Sequence, residues 1–241
     1  MLYVTTSWDD GDALDRKLAK LLESYGIRGT FYIPRSFRGI ERSAQLVQEL
    51  ALYHEVGAHT LTHPDLRTVS ISEARNEIAG GKDWLESVLG KEIKMFCYPR
   101  GSYTNEIRDL VGEYGYLGAR TTRQFSTELP RVPFEMETTL QVYPFPFRPR
   151  VGIRAMFGPV HERLAGFRAL GVPLIACRNW RAATIAAFDR AYKKGGAFHI
   201  WGHSWEIEQY GMWSELESVL MHMRSKKECA FVINSELLRH V

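Results

Sequence analysis

The chain has little cysteine and no long hydrophobic run. Only three cysteines occur in 241 residues. Cys97, Cys177 and Cys229 are widely spaced among apolar residues, which is typical of reduced buried thiols rather than a disulfide framework or a cysteine-based metal site. Apolar runs end well before the roughly 20 residues of a membrane span, and the N-terminus lacks the pattern of a signal peptide. We therefore expect no membrane partner and a cytoplasmic location.

An excess of charge of one sign is also missing. Lys and Arg number 31 and Asp and Glu 28, which leaves a formal net charge of +3, and the basic residues are scattered along the chain. Nucleic-acid-binding proteins usually concentrate basic residues on one face, so we expect no nucleic-acid partner. The 45% of hydrophobic residues is enough for a large core and argues against disorder.

Short apolar segments alternate with stretches of helical periodicity. This alternation is typical of βα units around a parallel sheet and predicts an α/β fold, either a barrel or an open doubly wound sheet. The predicted strands are 2–7, 29–33, 55–58, 94–98, 117–121, 172–176, 197–201 and 230–233. The predicted helices are 14–25, 43–53, 105–114, 161–170, 184–194 and 214–224, with a further helix opened by the capping-box pair Ser70 and Glu73.

The segment 123–156 interrupts the alternation. It is rich in Pro, Phe and Arg and is too long for an ordinary connection between elements. We expect a single domain over 1–241 in which this segment is a folded insertion, placed either near the functional site or at an oligomer contact.

Two carboxylates and two imidazoles follow predicted strands. Asp9 and Asp10 stand where the first strand ends, and His59 and His63 follow the third. Carboxyl ends of parallel strands meet at one edge of the sheet, where ligands gather. Two imidazoles and one carboxylate suit zinc or a similar divalent cation, and the second carboxylate would be free to act as general base. Each motif alone also has a plainer interpretation, as a helix cap or as an HxxxH pair without a metal.

Two later segments complete the candidate site. Tyr98-Pro99-Arg100-Gly101 is interpreted either as a plain turn or as a turn whose backbone N–H groups face a developing oxyanion. The period of two along the strand 197–201 places His199, Trp201 and His203 on one side. We expect His203 to reach the site and His199 to be a hydrogen-bonded core histidine.

With these motifs the sequence resembles the polysaccharide deacetylase family, also called the NodB-homology domain or carbohydrate esterase family 4. The resemblance runs from Thr5 to about Glu206, apart from the segment after Arg123. It rests on Ser7-Trp8-Asp9-Asp10-Gly11, His59-Thr60-Leu61-Thr62-His63, Tyr98-Pro99-Arg100-Gly101 and the stretch from Gly115 to Thr122. The resemblance implies a distorted (β/α) barrel of about seven strands.

The resemblance also implies an activity and a metal site. The activity is metal-dependent removal of an acetyl or small acyl group from an amide nitrogen, with an N-acetylated carbohydrate as the expected substrate. Asp10, His59 and His63 would bind a divalent cation, most often Zn²⁺, with Co²⁺, Ni²⁺ or Mn²⁺ as alternatives. Asp9 would take the proton from a water at this site.

Further roles follow from the same resemblance. A backbone N–H near Arg100 would help to hold the oxyanion, so Arg100 counts among the expected catalytic residues. His203 would protonate the leaving amine. Tyr98, Pro99 and Trp201 would contact the substrate, and Trp201 would line the pocket for the acetyl methyl group.

Departures from the family pattern leave alternatives open. Many members carry, in place of Cys97, an Arg that orients the catalytic Asp, and Arg100 stands where an aromatic residue is usual. The alternatives are hydrolysis of another small amide at a non-sugar C–N bond and a carbohydrate-binding protein that has lost catalysis. An iron(II) oxygenase with two His and one carboxylate is disfavoured by the βα alternation. The sequence also leaves a homo-oligomer open.

Overall fold

A curled parallel sheet organises the chain in a computed structural model that describes residues 1–149 and 152–240. The strands are β1 (Leu2–Asp9), β2 (Thr30–Ile33), β3 (Ser36–Phe37), β4 (Ile40–Glu41), β5 (Glu55–Ala58), β6 (Met95–Cys97), β7 (Gly118–Arg120), β8 (Leu140–Gln141), β9 (Gly196–Gly202) and β10 (Cys229–Phe231). Seven strands follow one another in the order β7-β6-β5-β2-β1-β9-β8, β10 pairs with the start of β1, and β3 and β4 form a separate hairpin. The expected distorted barrel of about seven strands is confirmed.

Helices connect most of these strands. They are α1 (Asp15–Ser24), α2 (Ala44–Leu50), α3 (Ile71–Leu89), α4 (Asn105–Glu113), α5 (Ile153–Met156), α6 (Gly158–Ala169), α7 (Trp180–Lys194), α8 (Ser204–Tyr210), α9 (Trp213–Arg224) and α10 (Asn234–Leu237). The predicted capping box is present at the start of α3, where Ser70 accepts from the N–H of Glu73 and Glu73 accepts from the N–H of Ser70. Within the described ranges, no helix has the length and apolar character needed to cross a membrane.

Strand β1 separates an apolar layer from a polar one. Leu2, Val4 and Trp8 belong to the main hydrophobic cluster. The alternate residues Thr5, Ser7 and Asp9 are also buried, but they hydrogen-bond with Asn234, His199 and Arg120 respectively. Because successive side chains of a strand point to opposite faces, β1 carries this polar row towards its carboxyl end.

One expectation about the elements was wrong. The apolar run 172–176 is not a strand, because Pro173 precedes a 3₁₀ turn, Leu174–Arg178, in which Leu174 and Ile175 are 66% and 78% exposed. The helix α8 was not predicted. The cysteine interpretation holds in part, since all three thiols are free but only Cys97 is fully buried.

The segment 123–156 joins the main sheet, although residues 150 and 151 of it lie outside the described residues. It supplies β8, which pairs with β9 in parallel with Leu140 opposite Ile200 and Gln141 opposite Trp201. Gln124 and Gln141 from this segment line the cavity described below. The segment therefore lies next to the candidate site, and the expectation of a single domain over 1–241 stays a prediction.

Candidate active site

A cavity of about 660 Å³ opens at the carboxyl ends of β1, β5 and β9. Its lining contains seven of the predicted site residues: Asp9, Asp10, His59, His63, Arg100, Trp201 and His203. Residues that were not predicted complete it: Phe37, Arg38, Thr62, Thr122, Gln124, Gln141, Trp205 and Glu206. A second cavity of about 730 Å³, between the chain at 124–128 and α7, is lined by none of the predicted site residues.

A sharp turn after β1 directs Asp10 into the cavity. Asp10 has a φ of 81° and Gly11 a φ of 62°, and a side chain at Gly11 would approach Ile33 Cγ2 to 2.6 Å. Only glycine fits there, since it adopts this conformation without a Cβ. The Oδ2 atom of Asp10 accepts from Trp205 Nε1 at 3.1 Å, whereas its Oδ1 atom is buried and has no hydrogen-bond partner among the described residues.

The two imidazoles of the HxxxH motif face this oxygen. His59 Nε2 lies 3.9 Å and His63 Nε2 3.6 Å from Asp10 Oδ1. His59 Nδ1 donates to the carbonyl of Cys97 at 2.7 Å, which leaves the lone pair on Nε2 free to ligate. Burial lowers the pKa of His59 to about 3, so the ring is neutral, as a ligand must be.

Asp10, His59 and His63 fit a divalent cation. Their ligand atoms lie within 4.8 Å of one another. The distances of 3.9 and 3.6 Å from Asp10 Oδ1 to the two imidazole nitrogens are short enough for one cation about 2.0 to 2.2 Å from each of these atoms. Burial and the negative charge of Asp9 raise the pKa of Asp10, although the charge of His203 acts in the opposite direction. The unpaired Oδ1 atom is thus placed to receive a cation.

A second grouping of possible ligands, Asp9, His59 and Cys97, fits a cation less well. Asp9 is already ion-paired with Arg120. Burial also raises the pKa of the Cys97 thiol well above its usual range, and a protonated thiol is a poor ligand.

Arg120, which our sequence reasoning did not single out, is the partner of Asp9. It ends β7, is fully buried, and donates from Nη2 to Asp9 Oδ1. Its guanidinium also lies 4.7 Å from the ring centre of Trp201. Burial raises the pKa of Asp9, but the positive charge and the hydrogen bond of Arg120, together with the neighbouring imidazoles of His59 and His203, outweigh it and lower the pKa. The one sequence signal was an arginine inside a short apolar strand.

His203 is paired with Glu206, a second residue that was not predicted. Nδ1 of His203 lies 2.6 Å from Glu206 Oε2, and its Nε2 is 3.8 Å from Asp10 Oδ2. Burial lowers the pKa of His203, but the hydrogen bond to Glu206 and the charge of Asp10 outweigh it and raise the pKa to about 9. A protonated imidazole at the cavity wall is able to act as a proton donor.

The turn after β6 contributes less than expected. Tyr98 is fully buried, its hydroxyl donates to the carbonyl of Phe134 at 3.1 Å, and its ring stacks on Tyr103. Pro99 is buried too, and neither residue lines the cavity. The structure thus does not bring Tyr98 and Pro99 to the expected substrate contact, whereas Arg100 lies at the cavity wall with an exposed side chain.

His199 lies below the cavity, as expected for a core histidine. Its Nε2 atom lies 2.8 Å from the hydroxyl of Ser7. Burial lowers its pKa to about 3, so the ring is neutral and hydrogen-bonded inside the barrel.

Comparison with known proteins agrees with this geometry. The family model described as polysaccharide deacetylase matches residues 2–119, which include both carboxylates of β1 and the HxxxH motif. Over these residues the chain matches the polysaccharide deacetylase family.

Individual relatives of the family are distant. A Bacillus subtilis protein named peptidoglycan-N-acetylmuramic acid deacetylase is 24% identical over 48% of this chain and 44% of its own length. A polysaccharide deacetylase structure from Mycobacterium smegmatis has a TM-score of 0.67 at 16% identity and covers 100% of this chain and 90% of that one. A pseudoenzyme of carbohydrate esterase family 4 from Bacillus anthracis has a TM-score of 0.58 at 13% identity, over 98% of this chain and 65% of its own. The chain spans less than half the length of the curated relatives it matches.

Proposed function

We propose that this protein is a metal-dependent hydrolase that removes an acetyl group from the amide nitrogen of an N-acetylated carbohydrate. The observation that carries the proposal is the convergence of three groups at one cavity: the cation ligands, Asp9 with the buried Arg120 behind it, and the His203–Glu206 pair. The name of the Bacillus subtilis relative supports an N-acetylated sugar polymer as the substrate class.

The side chains divide the reaction between them. When bound by Asp10, His59 and His63, a divalent cation supplies a Lewis acid for the acyl carbonyl and lowers the pKa of a water. Asp9, kept ionised by Arg120, accepts the proton of that water. Two carboxylates that follow one another in sequence thus serve as base and as ligand.

Collapse of the tetrahedral intermediate needs a proton on the leaving nitrogen. His203 donates it from Nε2, since Nδ1 is engaged by Glu206. Trp201 and Trp205 line the same cavity as Asp9 and His203. Their apolar rings suit contact with the methyl group of an acetyl substituent. The backbone at Arg100, whose φ is 57°, stays our proposal for an oxyanion donor.

Many family members carry an arginine at the position of Cys97, but its absence here does not favour a protein that has lost catalysis. Arg120 places a guanidinium on the carboxylate that the usual arginine orients. Likeness to a pseudoenzyme at 13% identity shows the shared fold alone. Hydrolysis of a non-sugar C–N bond by the same residues is the alternative that a substrate panel separates.

The first test pairs metal content with turnover. Elemental analysis of the tag-free protein should find about one equivalent of a divalent metal, lost in Asp10→Ala and His63→Ala and kept in Asp9→Asn. Release of acetate from N-acetylglucosamine oligomers should be abolished in all three variants, and His161→Ala, an exposed histidine on α6, serves as the control. Failure to bind zinc, cobalt or nickel, or turnover retained in Asp10→Ala, would refute the proposal, and turnover of ureides alone would favour the non-sugar alternative.

A further inference from the structure

A buried chain of hydrogen bonds runs from α6 through Gln141 of the inserted segment to His203. Arg163 on α6 donates from Nη2 to Gln141 Oε1 at 2.7 Å. Gln141 on β8 donates from Nε2 to Glu206 Oε2 at 3.1 Å, and the same carboxylate oxygen accepts from His203 Nδ1 at 2.6 Å. Arg163, Gln141 and Glu206 are all at least nine-tenths buried.

The donors and acceptors allow one arrangement of this chain. An arginine can only donate, so the atom of Gln141 that faces Arg163 must be the amide oxygen. The NH₂ group of Gln141 then faces Glu206, whose oxygen must accept. Because that oxygen accepts, the hydrogen of His203 shared with it sits on Nδ1, and Nε2 is directed to the cavity.

The backbone of Gln141 is fixed as firmly as its side chain. Its N–H donates to Gln124 Oε1 at 3.1 Å, and its carbonyl accepts from Trp180 Nε1 at 2.8 Å. Arg163 is held in turn by the ring of Tyr143, whose centre lies 4.6 Å from the guanidinium. A side chain with so little freedom is suited to orient a neighbour rather than to fill space.

We propose that Gln141 and Arg163 are positioning residues, which hold Glu206 and through it His203 in the orientation that presents His203 Nε2 to the substrate. The inference rests on the proposed function of His203 as proton donor. It also assigns a task to the segment 123–156, which completes the site by supplying Gln141.

The test compares two leaving groups. Gln141→Met conserves shape and removes both hydrogen bonds. On an N-acetylglucosamine tetramer we expect kcat to fall by about 10- to 100-fold with KM little changed, because the leaving amine needs the proton. On 4-nitrophenyl acetate, whose leaving group departs without a proton, we expect kcat within about threefold of wild type. Arg168→Gln, an exposed arginine on the same helix as Arg163, is the matched control.

A second pair of variants separates positioning from folding. Arg163→Met leaves β8 unchanged but allows the amide of Gln141 to rotate, so it should show the same split between amide and ester. Arg163→Lys keeps a donor and should recover most of the lost kcat. Equal losses on both substrates, or no loss in Gln141→Met, would overturn the inference.

An NMR measurement keeps this inference separate from the proposed function. In the metal-free wild type, His203 should show a slowly exchanging Nδ1–H signal, assigned by its loss in His203→Gln. Gln141→Met should lose or broaden the signal, and Arg168→Gln should keep it. A wild type that shows the signal but hydrolyses neither substrate would refute the proposed function alone, whereas an unchanged signal in Gln141→Met would refute the positioning role.

Discussion

Replacing Arg120 by Met should destabilise the protein strongly and in a pH-dependent way. Arg120 and Asp9 are both buried, with side-chain exposures of 0% and 4%. The variant keeps Asp9 in place and removes the positive charge that compensates it. An isolated buried carboxylate is far less stable than one in water, so the variant must either protonate Asp9 or bear the cost of its charge.

The magnitude follows from the burial of the pair. Removing one partner of a buried ion pair costs about 3 to 5 kcal/mol, because the other charge is left uncompensated. The variant also lacks the contact between the guanidinium and the ring of Trp201, whose centre lies 4.7 Å away in the wild type. The absence of this contact adds to the loss of stability. We therefore expect the free energy of unfolding at pH 8 to fall by about 3 to 5 kcal/mol.

The pH dependence has a definite sign. In the wild type the pKa of Asp9 is below its ordinary value of 3.8, so the pair stabilises the fold above that value and ceases to do so as the pH falls through the lowered pKa. In the variant, burial still raises the pKa of Asp9, and only the neighbouring imidazoles of His59 and His203 remain to lower it, so the pKa of Asp9 should rise. The variant's deficit should therefore be largest at pH 8 and shrink as the pH falls through this raised pKa.

Urea unfolding of both metal-free proteins, in chelator between pH 5 and pH 8, measures the deficit. Asp9→Asn/Arg120→Met serves as the control, since it removes both charges and should be more stable at pH 8 than Arg120→Met alone. An exposed ion pair contributes at most about 1 kcal/mol to the free energy of unfolding. A deficit below about 1 kcal/mol at pH 8, or one that does not change with pH, would therefore show that the stability of Asp9 does not depend on the charge of Arg120.

Three further substitutions test other parts of the structure. Gly101→Ala should destabilise the protein by about 1 kcal/mol or more in urea unfolding, because Gly101 has a φ of 67° and a methyl group there would collide with Thr122. Asn234→Ala should cost about 1 to 3 kcal/mol by the same measurement, since it leaves the buried hydroxyl of Tyr32 without its partner at 2.9 Å. Ser70→Ala should cost about 1 kcal/mol by removing the cap of α3, with metal content unchanged.

The sequence predicts those site residues whose positions depend on their neighbours in the chain. Asp9 and Asp10 follow a strand, and His59 and His63 share one turn, so the position of each follows from local structure. Strand alternation then indicates that their ends meet at one edge of the sheet.

The residues that were missed are placed by pairing between distant strands. Gln141 reaches the site because β8 adds to β9, and Arg163 because α6 packs behind it. No periodicity in the segment 123–156 indicates that pairing, since β8 has two residues. Glu206 was within reach, three residues after His203, but no helix was predicted there, and α8 begins at Ser204.

A further prediction concerns whether an arginine at position 97, where many family members carry one, can replace Arg120 on the adjacent strand. Cys97 on β6 is paired with Arg120 on β7, and both side chains are fully buried. Cys97 Sγ lies 4.0 Å from Asp9 Oδ2, while Arg120 contacts Asp9 Oδ1. An arginine at either position therefore approaches the same carboxylate.

Arg120→Ala should lose most of its turnover, since burial without the guanidinium raises the pKa of Asp9 and favours the protonated form, which cannot act as a base. Cys97→Arg/Arg120→Ala nearly conserves the total side-chain volume, which buried sites tolerate best, and returns a guanidinium to Asp9 from the opposite oxygen. We expect this double variant to regain at least about tenfold in kcat/KM over Arg120→Ala, a gain of about 1.4 kcal/mol in transition-state stabilisation. The matched variant Cys97→Met/Arg120→Ala, which restores volume without charge, should regain none. If both double variants recover equally, then Arg120 acts by filling space, and the electrostatic account of Asp9 is wrong.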